Sequence, residues 1–248
     1  MNQNPNLNFR SDYRADTEIF KGFLNFHKVD PDRNYLQNCF FKLYPELKDI
    51  LKEADGNFPK KEISSFIQDQ HEECKEEIKA GVESMRKRWS DKKDQFYELA
   101  ALIFNNHPWP DGDYVGFTSI WGIYPRNLES KKFSFPYNHP KENFPFSVVI
   151  HEMVHFIFFD YAIKSHPKIF KEMNKNRGIF WDLSEIFNAI ILFTPDFIEL
   201  HGMEESISGT LNVNHKDNLS YLKKLWYDDQ DIDIWLEKGY KYLKDKNI

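Results

Sequence analysis

Ser147-Val148-Val149-Ile150-His151-Glu152-Met153-Val154-His155-Phe156-Ile157-Phe158-Phe159 is the stretch on which the reading of this chain turns. Its one polar island is a His-Glu-x-x-His pattern in an otherwise uncharged, apolar run. On a helix, His151 and His155 lie one turn apart on the same face, so both imidazoles reach one ion. Glu152 stands beside the first histidine, where its carboxylate can take a proton from water held at that ion. Two neutral imidazoles and a carboxylate suit Zn²⁺ and leave one tetrahedral position open, where bound water has its pKa lowered towards neutrality. Without such a partner, burying two histidines and a glutamate in mid-helix is costly.

Working outward, the residues before the motif change character at His107-Pro108-Trp109-Pro110-Asp111-Gly112, a turn cluster. Tyr114 to Tyr124 is rich in β-branched and aromatic residues and reads as a strand or a hairpin. Lys132-Phe133-Ser134-Phe135-Pro136-Tyr137 alternates polar and apolar and then meets a proline, the pattern of an edge strand. Upstream, residues 1 to about 20 are polar and Asn-rich and read as a loosely attached lead. From Glu18 to about Leu51 apolar residues recur at helical spacing, interrupted by Pro31 and Pro45. Ile63 through Ile103 continues that spacing as one long amphipathic helix, or two joined near Ser90-Asp91. The mixed charges between Glu72 and Lys93 form a solvated helix face.

After the motif the pattern is helical over about Phe146–Ile163, Pro167–Lys175, Trp181–Phe193, Leu219–Trp226 and Asp231–Asp245. The expectation is an α+β fold: a helical region over 1–106, then a domain over 107–248 with a small sheet and more helices. No Gly-rich loop follows a strand and the chain has only 10 glycines, which argues against a nucleotide-binding fold.

Composition narrows the function classes. Across 248 residues, 41% hydrophobic side chains can bury a core, so a disordered chain is excluded. With 33 basic and 39 acidic residues the net charge is −6, which disfavours binding to nucleic acid or to anionic membranes. Cys39 and Cys74 are too few for a disulfide framework or a four-cysteine zinc site and read as buried thiols in a reducing compartment. The N-terminus lacks the basic start and apolar core of a signal peptide, and the longest apolar stretch, around Ile186 to Phe197, is too short to cross a bilayer. The expectation is a soluble, cytoplasmic protein. His107, His139 and His166 adjoin prolines in turns and are expected to face solvent.

The chain resembles the zincin-type zinc metallopeptidases over about residues 113 to 192. In that family a mixed sheet precedes the H-E-x-x-H helix, and its edge strand holds an extended peptide by strand addition. By that resemblance Phe133, Ser134 and Phe135 are the expected substrate-binding residues. The metzincin subgroup would need glycine and histidine where Phe158 and Tyr161 stand, so it is excluded. The gluzincin subgroup takes a glutamate from a second helix, and Glu185, 30 positions after His155 in Trp181–Ile190, fits that place. Glu199, His201, Glu204 and Glu205 are the alternatives. Gluzincins often carry an aspartate four residues after the third ligand; here that position is Ala189, and Asp182 or Asn188 could support a ligand instead. Candidate oxyanion donors are Tyr161, His201 and Tyr221, with His215 and Tyr227 behind them.

The resemblance implies a zinc-dependent peptidase acting on a peptide or protein, with His151, His155 and Glu185 on the metal and Glu152 as general base. The alternative is a non-proteolytic zinc-binding interaction or regulatory protein on the same fold. A deformylase would need a cysteine ligand from an upstream strand, and both cysteines fall in expected helices instead.

Overall fold

The computed structural model describes residues 4–26, 34–53, 58–203 and 213–246. The elements are β1 (Leu7–Ser11), α1 (Tyr13–Phe26), α2 (Asn34–Leu43), α3 (Leu47–Glu53), α4 (Lys60–Glu73), α5 (Lys75–Ile103), β2 (Tyr114–Ser119), β3 (Arg126–Asn127) and β4 (Lys132–Pro136). They continue with α6 (Phe144–Ser165), α7 (Pro167–Phe170), α8 (Ile179–Ile191), α9 (Pro195–His201), α10 (Val213–Asp229) and α11 (Ile232–Lys246). The class is α+β, as expected, with a four-stranded mixed sheet in the order β1-β2-β4-β3.

The chain forms two compact units that do not follow the composition boundary at 106/107. One, the sheet unit, is drawn from Asn6–Ser90 and Gly112–Val149; the other, the helical unit, from Asp91–Asp111 and Ile150–Ile248 with the first residues of the chain. The division falls inside α5 and inside α6.

In the sheet unit, three expectations need correction. The supposed loose lead contains β1, which runs parallel to β2 with Leu7 opposite Tyr114 and Ser11 opposite Thr118. Its alternation is what pays for order here: Leu7 and Phe9 are buried while Asn8 and Arg10 are exposed. The long helical run is two helices, but the break is at Cys74, between α4 and α5, and α5 passes through Ser90-Asp91 unbroken. β4 is not an edge strand. β2 lies parallel along one side of it, and β3 lies antiparallel on the other, with Arg126 opposite Phe133 and Asn127 opposite Lys132. The Ser134 N–H is donated to the Pro125 carbonyl at 3.0 Å, and Pro136 has no N–H to offer.

One face of the sheet carries Phe9 and Phe135 in edge-to-face contact at 5.5 Å, with Trp89 of α5 at 6.3 Å from Phe9. α1 is tied to the end of β2 through Asp16, which is fully buried. Asp16 accepts from Ser119 Oγ at 2.6 Å and from the Ile120 N–H at 3.1 Å, and its other partner is His71 Nε2 at 2.8 Å. Its carbonyl accepts from Trp121 Nε1 at 3.0 Å. Trp121 then seats Phe20, Phe40 and Tyr44 around its ring at 5.6, 4.8 and 5.4 Å.

The helical unit is built on aromatic contacts to α8. Phe187 meets Phe104, Phe158, Trp226 and Trp235 with ring centroids 4.9–5.8 Å apart. Proline at the first position starts α7 and α9, and Gly202, in the left-handed region at φ 73°, ends α9 by donating to the Ile198 carbonyl at 2.7 Å. α6 is long and apolar enough by length and composition to cross a bilayer, so the run near Ile186–Phe197 is not the longest such stretch; most of α6 is buried within the protein.

Gly81 gives a test of the sheet unit in which propensity and packing oppose each other. A Cβ at this position of α5 would collide with the Tyr137 carbonyl oxygen. Alanine should favour the helix by about 1 kcal/mol, yet the clash with fixed backbone should cost more, leaving Gly81→Ala destabilised by roughly 1–3 kcal/mol. Urea unfolding of both proteins measures the sign; a more stable variant would contradict this packing.

Candidate metal centre

The helical unit brings His151, His155 and Glu185 together, with their donor atoms all within 4.8 Å of one another. His151 and His155 come from successive turns of α6, and their Nε2 atoms are 3.0 Å apart. Glu185 comes from α8, with Oε2 3.5 Å from His151 Nε2 and Oε1 3.4 Å from His155 Nε2. Donors at the usual zinc distances of about 2.0–2.1 Å in a tetrahedron lie about 3.3 Å apart. The separations found here, with each ring taken to the nearer oxygen of the Glu185 carboxylate, bracket that value, so the donor set fits zinc in chemistry and its spacing is close to what zinc needs.

Burial grades across the cluster. His155 is fully enclosed, while the side chains of Glu185 and His151 keep 16% and 23% exposure. One side of the cluster is thus closed and the other keeps some exposure to solvent. Glu152 is buried, and its Oε1 lies 3.8 Å from His151 Nε2, so its carboxylate borders the cluster without joining it. Phe159, one turn after His155, lies nearly parallel to that imidazole at 5.9 Å. Asn188, one turn after Glu185, donates Nδ2–H to the His151 carbonyl at 3.2 Å. That bond pins α8 to α6 at the level of the ligands, a role for Asn188 through the backbone of His151 and not through its ring.

The other sequence candidates are placed elsewhere. His201 is fully buried at the end of α9: the Met203 N–H donates to its Nδ1 at 3.0 Å, so the proton on Nε2 is donated to the Leu192 carbonyl at 2.8 Å. Both ring nitrogens are consumed, and His201 serves the α8–α9 connection, not a metal or an oxyanion. Tyr161 donates its hydroxyl to Asp233 Oδ1 at 2.8 Å and accepts from Asn105 Nδ2 at 2.9 Å. Burial, then the bond to Asp233, push its pKa up to about 12. Tyr221 is half exposed and stacks on Tyr242 at 4.0 Å, and Tyr227 is exposed. Phe133, Ser134 and Phe135 are all buried in β4, so the strand expected to receive an extended substrate has its outer N–H at Ser134 already used and its side chains covered. Glu204 and Glu205 lie outside the described residues, as does the side chain of His215.

Two histidines expected to face solvent are instead hydrogen-bonded to acids. His107 Nε2 is 2.8 Å from Asp160, and His166 Nε2 is 2.8 Å from Asp233, the acid that also receives Tyr161. His139 stacks on Phe144 at 4.1 Å. Their proline neighbours suggested turns, and the acids that hold them are 53 and 67 positions away, beyond any local signal.

In comparison with known proteins, no family model, no curated protein and no solved structure matches the chain.

Removing one donor should separate ligands from bystanders. His151→Ala and Glu185→Ala should each weaken zinc binding by more than the roughly 10- to 100-fold lost with an outer partner. His201→Ala should lower the melting temperature and leave the affinity of the folded protein unchanged. Competitive titration against a chromophoric chelator reads all three; a large loss at His201 with none at Glu185 would overturn the assignment.

Proposed function

We propose that the protein is a zinc-dependent peptidase with a zincin-like, gluzincin-type centre formed by His151, His155 and Glu185, and with Glu152 as general base. One observation carries the reading: three donors at tetrahedral spacing with a fourth, non-ligating carboxylate on the same helix beside the open edge. A structural zinc site is closed by four protein ligands, whereas a catalytic site keeps one position for water or substrate.

Zinc held by these donors would supply Lewis acidity, polarising a carbonyl oxygen and making water a stronger acid. The protein's own contribution begins with α6 and α8, which fix the donors before substrate arrives and so avoid reorganisation during reaction. Glu152 is held by the apolar helix around it. Its carboxylate accepts the proton released as water attacks the peptide carbonyl carbon. It then delivers that proton to the amide nitrogen as the C–N bond breaks, so the amine leaves neutral. His151 and Glu185, each partly exposed, mark the side from which a peptide reaches the cluster.

The second reading, a zinc-binding protein without peptidase activity, has its own supporting observation. Tyr161 and His201 are committed to Asp233 and to the α8–α9 connection, so neither is offered to a developing oxyanion. Glu152→Gln distinguishes the two. It keeps size and hydrogen bonding but removes the base, so it should retain one zinc per chain while cleavage of an unfolded protein substrate falls about 10²-fold or more. Wild type that is fully loaded with zinc yet inert across a broad peptide library would select the second reading.

A further inference from the structure

The sheet unit contains a groove of about 560 Å³ between α1 and the face of the sheet that bears Phe117 and Ser134. It lies within the size range of small-molecule sites, and like them it is mostly apolar with a few polar groups. Ile19 and Phe23 of α1 form one wall and Phe117 the floor. Phe117 is the one residue of β2 that is not buried, although β2 is a central strand with a neighbour on each side. Two features keep it partly open. Gly22 faces the groove from α1 and has no side chain to fill it; a Cβ there would meet nothing within 4 Å. β3 is only two residues long and covers little of the sheet.

The charge at the rim is one-sided. Arg126 and Lys132 both line the groove, and the single acid lining it, Glu18, has Lys21 and Lys60 at 3.8 and 4.0 Å. An apolar trough with a cationic rim is complementary to a molecule with an apolar body and one anionic head.

We propose that this groove binds a small amphipathic carboxylate, with its chain over Phe117 between Ile19 and Phe23 and its head at Lys132, which shares the Ser134 face of the sheet and is exposed. The site belongs wholly to the sheet unit and is independent of the peptidase reading. Isothermal titration of the full-length protein with decanoate, below its micellar range, tests it, with decanol as the uncharged control. Saturable binding at one site is expected, with decanol at least about 10-fold weaker, since a charge-assisted pair at the head is lost. Lys132→Gln should weaken decanoate about 10-fold and leave decanol unchanged. Gly22→Trp fills the trough and should abolish binding, while the gain in helix propensity over glycine preserves folding. Should Gly22→Trp lose its cooperative melting transition, Gly22→Leu makes the same test with less bulk. Because a carboxylate can also ligate zinc, the titration is repeated after chelation, which should not change it. The proposal is overturned by absence of saturation, by equal affinity for decanol, by undiminished binding to folded Gly22 variants, or by loss of binding on chelation.

Discussion

A carboxylate and two imidazoles share one small volume between α6 and α8, and the helical unit is arranged around the need to satisfy them. Glu185 is within 3.5 Å of both Nε2 atoms, and His155 has no exposure at all. A carboxylate held this close to two imidazoles, one of them fully enclosed, needs a partner to offset the desolvation of its charge. A divalent cation would meet that need through coordinate bonds to all three donors. Binding energy of this kind adds to folding energy, because the unfolded chain does not hold the donors together. The aromatic contacts of Phe187 and the Asn188 bond to the His151 carbonyl then have a common consequence: they set the register of α8 against α6, which fixes the distance from Glu185 to both rings.

The sheet unit constrains how any polypeptide could be held. Strand addition requires a row of free backbone groups on an edge. β4 does not offer one, since β3 and the Pro125 carbonyl occupy its outer side. The edges are β1 and the two-residue β3. Substrate recognition in a peptidase built this way must rest on something other than pairing along Phe133–Phe135. The same short β3 leaves Phe117 partly uncovered, so one feature of the sheet closes one kind of site and opens another.

What was legible in the sequence follows the range of the forces involved. α6 and its histidine pair were readable because a polar island in an apolar helix is a local pattern, and Glu185 because an acid among Leu183, Ile186, Phe187 and Ile190 stands out in the same way. The amphipathic helices were readable from spacing. β1 was missed because five residues in a polar, Asn-rich setting give little periodicity, and their order comes from pairing with β2 more than a hundred positions on. β4 carried an edge signal in Pro136, but that proline is the strand's last residue, where its missing N–H comes after the pairing with both neighbours has been made. Its neighbour β3 is too short to announce itself. The roles of His107, His166, His201 and Tyr161 depend on Asp160, Asp233 and backbone groups far along the chain, and no local rule reaches those partners.

X-ray absorption at the zinc edge of the metal-loaded protein addresses the central claim without relying on catalysis or on variants. The account predicts a first shell of nitrogen and oxygen only, at about 2.0–2.1 Å, with outer-shell scattering from two imidazoles. A protein that retains no zinc, or a shell containing sulfur at about 2.3 Å, would contradict it.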